Sequence, residues 1–103
     1  MVTAAINIPH QQIAGLCQRY GIAELSLFGS VLRNDFDPAR SDVDLLVEFL
    51  PEQRIGFFKL AEIEEEFSKL LGGRRIDLVS KNSINRWIRK QVLQEAMPIY
   101  VAS

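Results

Sequence analysis

The sequence predicts a small α/β domain in which short strands alternate with amphipathic helices. Three observations carry that expectation. Apolar residues recur at helical spacing in three separate segments, short apolar or alternating runs lie between those segments, and glycines or turn formers stand at nearly every junction. A length of 103 residues with 48% hydrophobic and 24% charged side chains suffices for one core, so one domain is expected over residues 1–103.

The first helix is expected from Pro9 to Tyr20, where Ile13, Leu16, Cys17 and Tyr20 fall at i, i+3, i+4 and i+7 and Gly21 is placed to cap the end. Ala23 to Phe28, with Leu25 and Leu27 alternating against polar neighbours, predicts a strand that stops at Gly29. Ser30 to Arg33 reads as a brief helical turn, and Asn34 to Ser41 as a loop rich in turn and cap formers, among them Asp35, Asp37 and Pro38. The run Asp42 to Phe49 predicts a second strand. After a loop at Pro51 to Arg54, Phe57, Leu60, Ile63, Glu64, Phe67 and Leu71 mark a helix whose outer face carries Glu62, Glu65, Glu66 and Lys69, and Gly72 and Gly73 end it. Arg75 to Ser80 alternates as a third strand with Asp77 in mid-pattern. Asn82 or Ser83 is placed to cap a last helix carrying Ile84, Trp87, Ile88, Val92 and Ala96, and Pro98 to Ala102 suits a short terminal strand.

A formal net charge of −1 offers no basic face, so direct nucleic-acid binding and attraction to an anionic membrane are not expected. No run approaches the roughly 18 apolar residues of a membrane span, and the first residues lack a signal-peptide pattern, so a cytoplasmic protein is expected. The single Cys17 suits the core, His10 an exposed position, and Trp87 the core or an interface. The run Glu64, Glu65, Glu66 reads as a solvated helix face, and Arg74 and Arg75 as a solvated turn.

One constellation carries chemistry. Phe28-Gly29-Ser30 is followed, after a spacer, by Asp42-Val43-Asp44 and an aliphatic run. Side chains two apart on a strand share a face, so Asp42 and Asp44 aim two carboxylates at one point, where they repel unless a cation compensates. Oxygen donors of this kind suit Mg²⁺ completed by substrate phosphates and water. Gly29 permits a sharp turn and close approach to a phosphate, while Ser30 opens a turn whose N–H groups and hydroxyl can bind anionic oxygens. Ser41 can donate a further hydrogen bond, and Arg33, ahead of Arg40, can neutralise triphosphate charge. Asp77 can complete a carboxylate triad and polarise an acceptor hydroxyl for attack on an α-phosphate.

These residues resemble the nucleotidyltransferase superfamily that includes DNA polymerase β, and within it the MNT-type minimal nucleotidyltransferases. The resemblance rests on Gly29, Ser30, Asp42, Asp44 and Asp77 in order and spans roughly residues 23 to 80. Arg33 and Asp35 fit the family's habit of an Arg-Gly and an acid after the Gly-Ser, whereas Asn34 replaces the glycine. The resemblance implies a small mixed sheet packed by helices, with Mg²⁺ held by Asp42, Asp44 and Asp77, and ATP as the nucleotide. It also implies transfer of AMP to a partner protein, a tyrosine of a HEPN-type toxin, with the chain acting as antitoxin in a homo- or hetero-oligomer. A chain this short is expected to leave the acceptor to such a partner. Two other readings stay open: a non-catalytic module that neutralises its partner by contact, and an adenylyltransferase for a small molecule such as an aminoglycoside.

Overall fold

Alternating strands need one apolar face, and the helices supply the stripe that covers it. The computed structural model describes residues 2–3, 6–32 and 42–102. Two short strands, β1 (Val2–Thr3) and β2 (Ile6–Asn7), form a small antiparallel ladder. They are followed by α1 (His10–Tyr20), β3 (Ile22–Phe28), a 3₁₀ turn over Gly29–Leu32 and β4 (Val43–Phe49). Then come α2 (Phe57–Leu70), β5 (Ile76–Ser80), a second 3₁₀ turn over Lys81–Ser83, α3 (Arg86–Glu95) and β6 (Met97–Val101). The four longer strands make one sheet in the order β5-β4-β3-β6. β3 pairs antiparallel with β4 and β6, while β4 and β5 run parallel, joined through α2. This mixed sheet with packed helices is the α/β architecture that the sequence predicts.

The period of two along each strand divides the sheet into unlike faces. On the inner face Leu25, Leu27, Val43, Leu45, Val47, Ile76 and Leu78 are buried. Over them lie Ile13, Leu16, Cys17 and Tyr20 of α1, and Ile63 and Phe67 of α2. Gly21 closes α1 in the left-handed region, with φ of 69°, as expected of a helix-ending glycine. The outer face carries Glu24, Ser26 and Phe28 of β3, Asp44, Leu46 and Glu48 of β4, and Asp77 of β5.

Some local expectations are corrected. β4 begins at Val43, so Asp42 lies just before the strand. The N-cap of α3 is Asn85, whose side chain accepts the Trp87 N–H at 2.8 Å. The earlier candidates Asn82 and Ser83 are taken into the 3₁₀ turn, and Ile84 is buried in extended backbone, which delays the helix. Trp87 is 80% exposed, which excludes the core of its two expected places, because the half-buried stripe of α3 runs through Arg89 and Val92. Phe57, expected on the apolar stripe of α2, is exposed at its first turn. Glu64 is not merely solvated: its Oε2 accepts the Leu78 N–H at 2.9 Å and so caps the outer edge of β5.

Candidate functional site

The mouth of the sheet is built by three local devices. At the end of β3 the chain turns at Gly29, whose φ of 76° lies in the left-handed region. A Cβ at this position would overlap Asp44 Oδ2 and come within 3.2 Å of Asp44 Cγ. The conformation favours glycine, and the backbone at Gly29 lies against the end of the Asp44 side chain, which a Cβ would have to push aside. On the other side of β4, the end of α2 sets the start of β5. Leu71 N–H closes the helix on Phe67 O, Gly73 N–H donates to Ser68 O at 2.8 Å, and Ser68 Oγ donates to Arg74 O at 2.6 Å. The Val43 N–H then donates to Arg75 O at 2.9 Å, which locks the two strands in register.

That register pairs Phe28 with Asp44 across one side of β4 and Asp44 with Asp77 across the other. Neighbouring strands lie about 4.8 Å apart, so the Asp44 and Asp77 carboxylates leave the same face side by side. Like charges in that relation disfavour each other, and a cation between them removes the penalty. Asp42 lies at the mouth, half-exposed, with the fully buried Val43 between it and Asp44. Among the described residues no three His, Cys, Asp or Glu side chains form a complete cation cage. The donor set still fits Mg²⁺, which keeps several waters and is bound through one or two carboxylates plus phosphate oxygens.

Of the residues predicted from the sequence, Gly29, Asp44 and Asp77 are brought together and Asp42 stands beside them. Ser30 enters the 3₁₀ turn that follows Gly29. Arg33 and Ser41 lie outside the described residues, as do Asn34, Asp35 and Arg40.

The spacing of motifs did not disclose the wall opposite. A cleft of about 370 Å³ opens between Gly29 and Asp44 on the sheet and α3, where Ile88 and Val92 are apolar and Gln91 and Glu95 polar. A second cavity of about 190 Å³ lies further along β3, over Ser26 and Leu46 and beneath Leu93 and Ala96. Away from the site, burial pushes the Cys17 thiol from 9.0 up to about 12, so it stays protonated and takes no part in chemistry at neutral pH.

Comparison with known proteins bears on this arrangement. The model of the family described as "Nucleotidyltransferase domain" matches residues 10–100. Protein adenylyltransferase MntA of Thermococcus cleftensis is 42% identical over 82 residues, which cover 80% of this chain and 79% of that protein. A solved structure of a candidate minimal nucleotidyltransferase superposes with a TM-score of 0.71 at 35% identity, covering 86% of this chain and 87% of the other. A structure of the tri-AMPylated Shewanella oneidensis HEPN toxin in complex with MNT antitoxin shares the fold, with a TM-score of 0.63 at 18% identity over 90% of this chain and 70% of the matched one.

Proposed function

Because the chain belongs to the nucleotidyltransferase domain family, we propose that it is a protein adenylyltransferase that moves AMP from ATP to a tyrosine of a HEPN-type toxin and thereby acts as its antitoxin. The observation that carries this reading is the in-register pair Asp44 and Asp77, set against Gly29, whose left-handed φ of 76° side-chain-bearing residues rarely adopt. The name of the MntA relative and the AMPylated toxin of the structural neighbour support the choice of AMP and of a protein acceptor.

In this reading Asp42, Asp44 and Asp77 hold Mg²⁺, and the backbone at Gly29 and Ser30, with Arg33 and Ser41, takes the triphosphate. The ion supplies Lewis-acid polarisation of the phosphate oxygens when bound. Gly29 allows the α-phosphate to approach the carboxylates closely, and Asp77, on the far side of Asp44, orients the acceptor hydroxyl. The phenolic oxygen bonds to the α-phosphorus, the bond from that phosphorus to the bridging oxygen breaks, and pyrophosphate leaves. The phenolic proton passes to the Asp77 carboxylate and on to water. Positioning supplies most of the rate in such transfers, which is why a docked partner is needed.

The test is to incubate the chain with Mg²⁺-ATP and a HEPN-type protein, and to weigh both proteins intact. The partner should gain adenylyl mass with the wild type and not with Asp44→Asn or Asp77→Asn. A partner bound tightly but never modified contradicts the enzymatic reading, as does robust modification of an aminoglycoside by the chain alone.

A further inference from the structure

Unlike α1 and α2, α3 buries none of its residues. One of its sides is already engaged: Ile88, Gln91, Val92 and Glu95, spaced i, i+3, i+4 and i+7, line the cleft that Gly29 and Asp44 line from the sheet. Trp87 precedes Ile88 by one residue and Gln91 by one turn, so it stands on the rim of that cleft, exposed to solvent. The Arg86 guanidinium lies over its ring, 4.9 Å from the centroid, and Lys90 follows Arg86 one turn later on the same side of the helix. The charges here are one-sided. Residues 81–94 include Lys81, Arg86, Arg89 and Lys90 and no acid, in a chain whose formal net charge is −1. Lys81 Nζ is 3.6 Å from Glu48 Oε1, and Arg89 donates to the carbonyl oxygens of Asn82 and Ile84. Among the described residues Arg86 and Lys90 have no ion pair.

We infer that the Arg86, Trp87 and Lys90 edge of α3 is the docking surface for the acceptor protein, and that the patch it receives is acidic around an apolar centre. The inference rests on the protein adenylyltransferase reading above and adds where the acceptor seats and which side chains hold it. Tryptophan and arginine are the side chains that most often anchor protein interfaces, and unpaired cations beside them select an acidic counterpart. Position argues for this occupant. An acceptor hydroxyl has to come in over the mouth of the sheet to meet Asp44 and Asp77, and Trp87 stands on the rim of the cleft that opens there. The other exposed aromatic pair, Phe57 and Phe58, opens α2 beyond the far end of β4, where no acceptor would pass. Charge argues for it as well. Carboxylates on a partner would pair with Arg86 and Lys90, whereas an RNA would find only these two cations, and so few neutralised phosphates supply little affinity.

Rate measurements with the HEPN-type protein that the wild-type chain adenylylates test this. Trp87→Ala, and Arg86→Glu combined with Lys90→Glu, should each raise KM for the acceptor about tenfold or more. The kcat at saturating acceptor, KM for ATP and the melting temperature should stay at their wild-type values. Trp87→Phe, which keeps an aromatic ring, should fall between. The wild-type acceptor KM should climb with salt and that of the charge-reversed variant should not. Trp87 is the only tryptophan of the chain, so fluorotryptophan incorporated there gives one fluorine resonance that reports what covers it. The acceptor should shift that resonance. A shift produced by concentrating the chain alone, or by single-stranded oligouridine, overturns the inference in favour of a second copy or of RNA. An acceptor KM unchanged in both variants overturns it while leaving the proposed function standing. Equal rises in KM for ATP overturn it too, by moving the effect into the cleft. If the wild type modifies no HEPN-type protein, the adenylyltransferase reading itself fails and the docking surface with it.

Discussion

The two faces of the sheet are built on opposite terms. On the inner face α1 and α2 bury Ile13, Leu16, Cys17, Ile63 and Phe67 against strands that are themselves buried. On the outer face α3 has no buried residue, and Trp87, Ile88 and Leu93 remain exposed. A closed core stabilises, since apolar area leaves water and interiors pack densely. A helix held at a distance leaves a groove, and here the groove adjoins the carboxylates. The stabilising core and the candidate site are therefore separated by the thickness of one sheet.

The sharpest way to break that contrast is to remove a large side chain from each helix. Phe67→Ala should cost about 3–5 kcal/mol in urea unfolding, enough to threaten folding of so small a domain. Trp87→Ala should stay within about 0.5 kcal/mol of wild type. Comparable losses would show α3 to be part of the stabilising core. A smaller effect belongs to Glu64, which ties α2 to the edge of β5. Glu64→Ala leaves the buried Leu78 N–H without its acceptor and should cost roughly 1–2 kcal/mol, while Glu64→Gln, which keeps a carbonyl oxygen, should cost less.

The smallest expected effect is one of pH. Tyr20 Oη donates to Glu62 Oε2 at 2.9 Å, joining α1 to α2. That bond holds the Glu62 carboxyl below its ordinary 4.5, helped by Lys59, and raises the Tyr20 hydroxyl above its ordinary 10.0. For Glu62 the folded form binds its proton less readily than the unfolded one. Its contribution is thus complete above 4.5 and fades as pH falls through the lowered value. For Tyr20 the contribution is complete below 10.0 and fades as pH rises through the raised value. Tyr20→Phe should flatten the stability profile at both ends; a profile that keeps its wild-type shape would show that the contact contributes nothing.

Much of this was legible in the sequence, and the parts that were not share a cause. Gly29 and Asp44 announce themselves because their meaning is local, a turn and an acid at the start of a strand, whereas the same-face spacing expected of Asp42 is lost because β4 begins at Val43. Asp77 could be nominated as a mid-strand acid, but its register with Asp44 depends on which strands are neighbours, and spacing along the chain does not encode that. Glu64 looked like one of three solvated acids because a side-chain bond to a backbone N–H on another element leaves no periodic trace. Ser26 is one of the polar residues alternating with Leu25 and Leu27, and its burial depends on neighbours from other elements that alternation does not reveal. Trp87, expected in the core or at an interface, is exposed and so outside the core, because helical spacing alone does not say which side of a short helix meets the sheet.

The most direct measurement is a calorimetric titration of Mg²⁺-ATP into the wild type and Asp44→Asn, with thermal melting of both. The account predicts ATP affinity at least about tenfold weaker in the variant, with a melting temperature unchanged or higher because a like-charge pair has been relieved. Wild-type affinity in Asp44→Asn would contradict it, because the face where Gly29, Asp44 and Asp77 meet would then not be where the nucleotide binds.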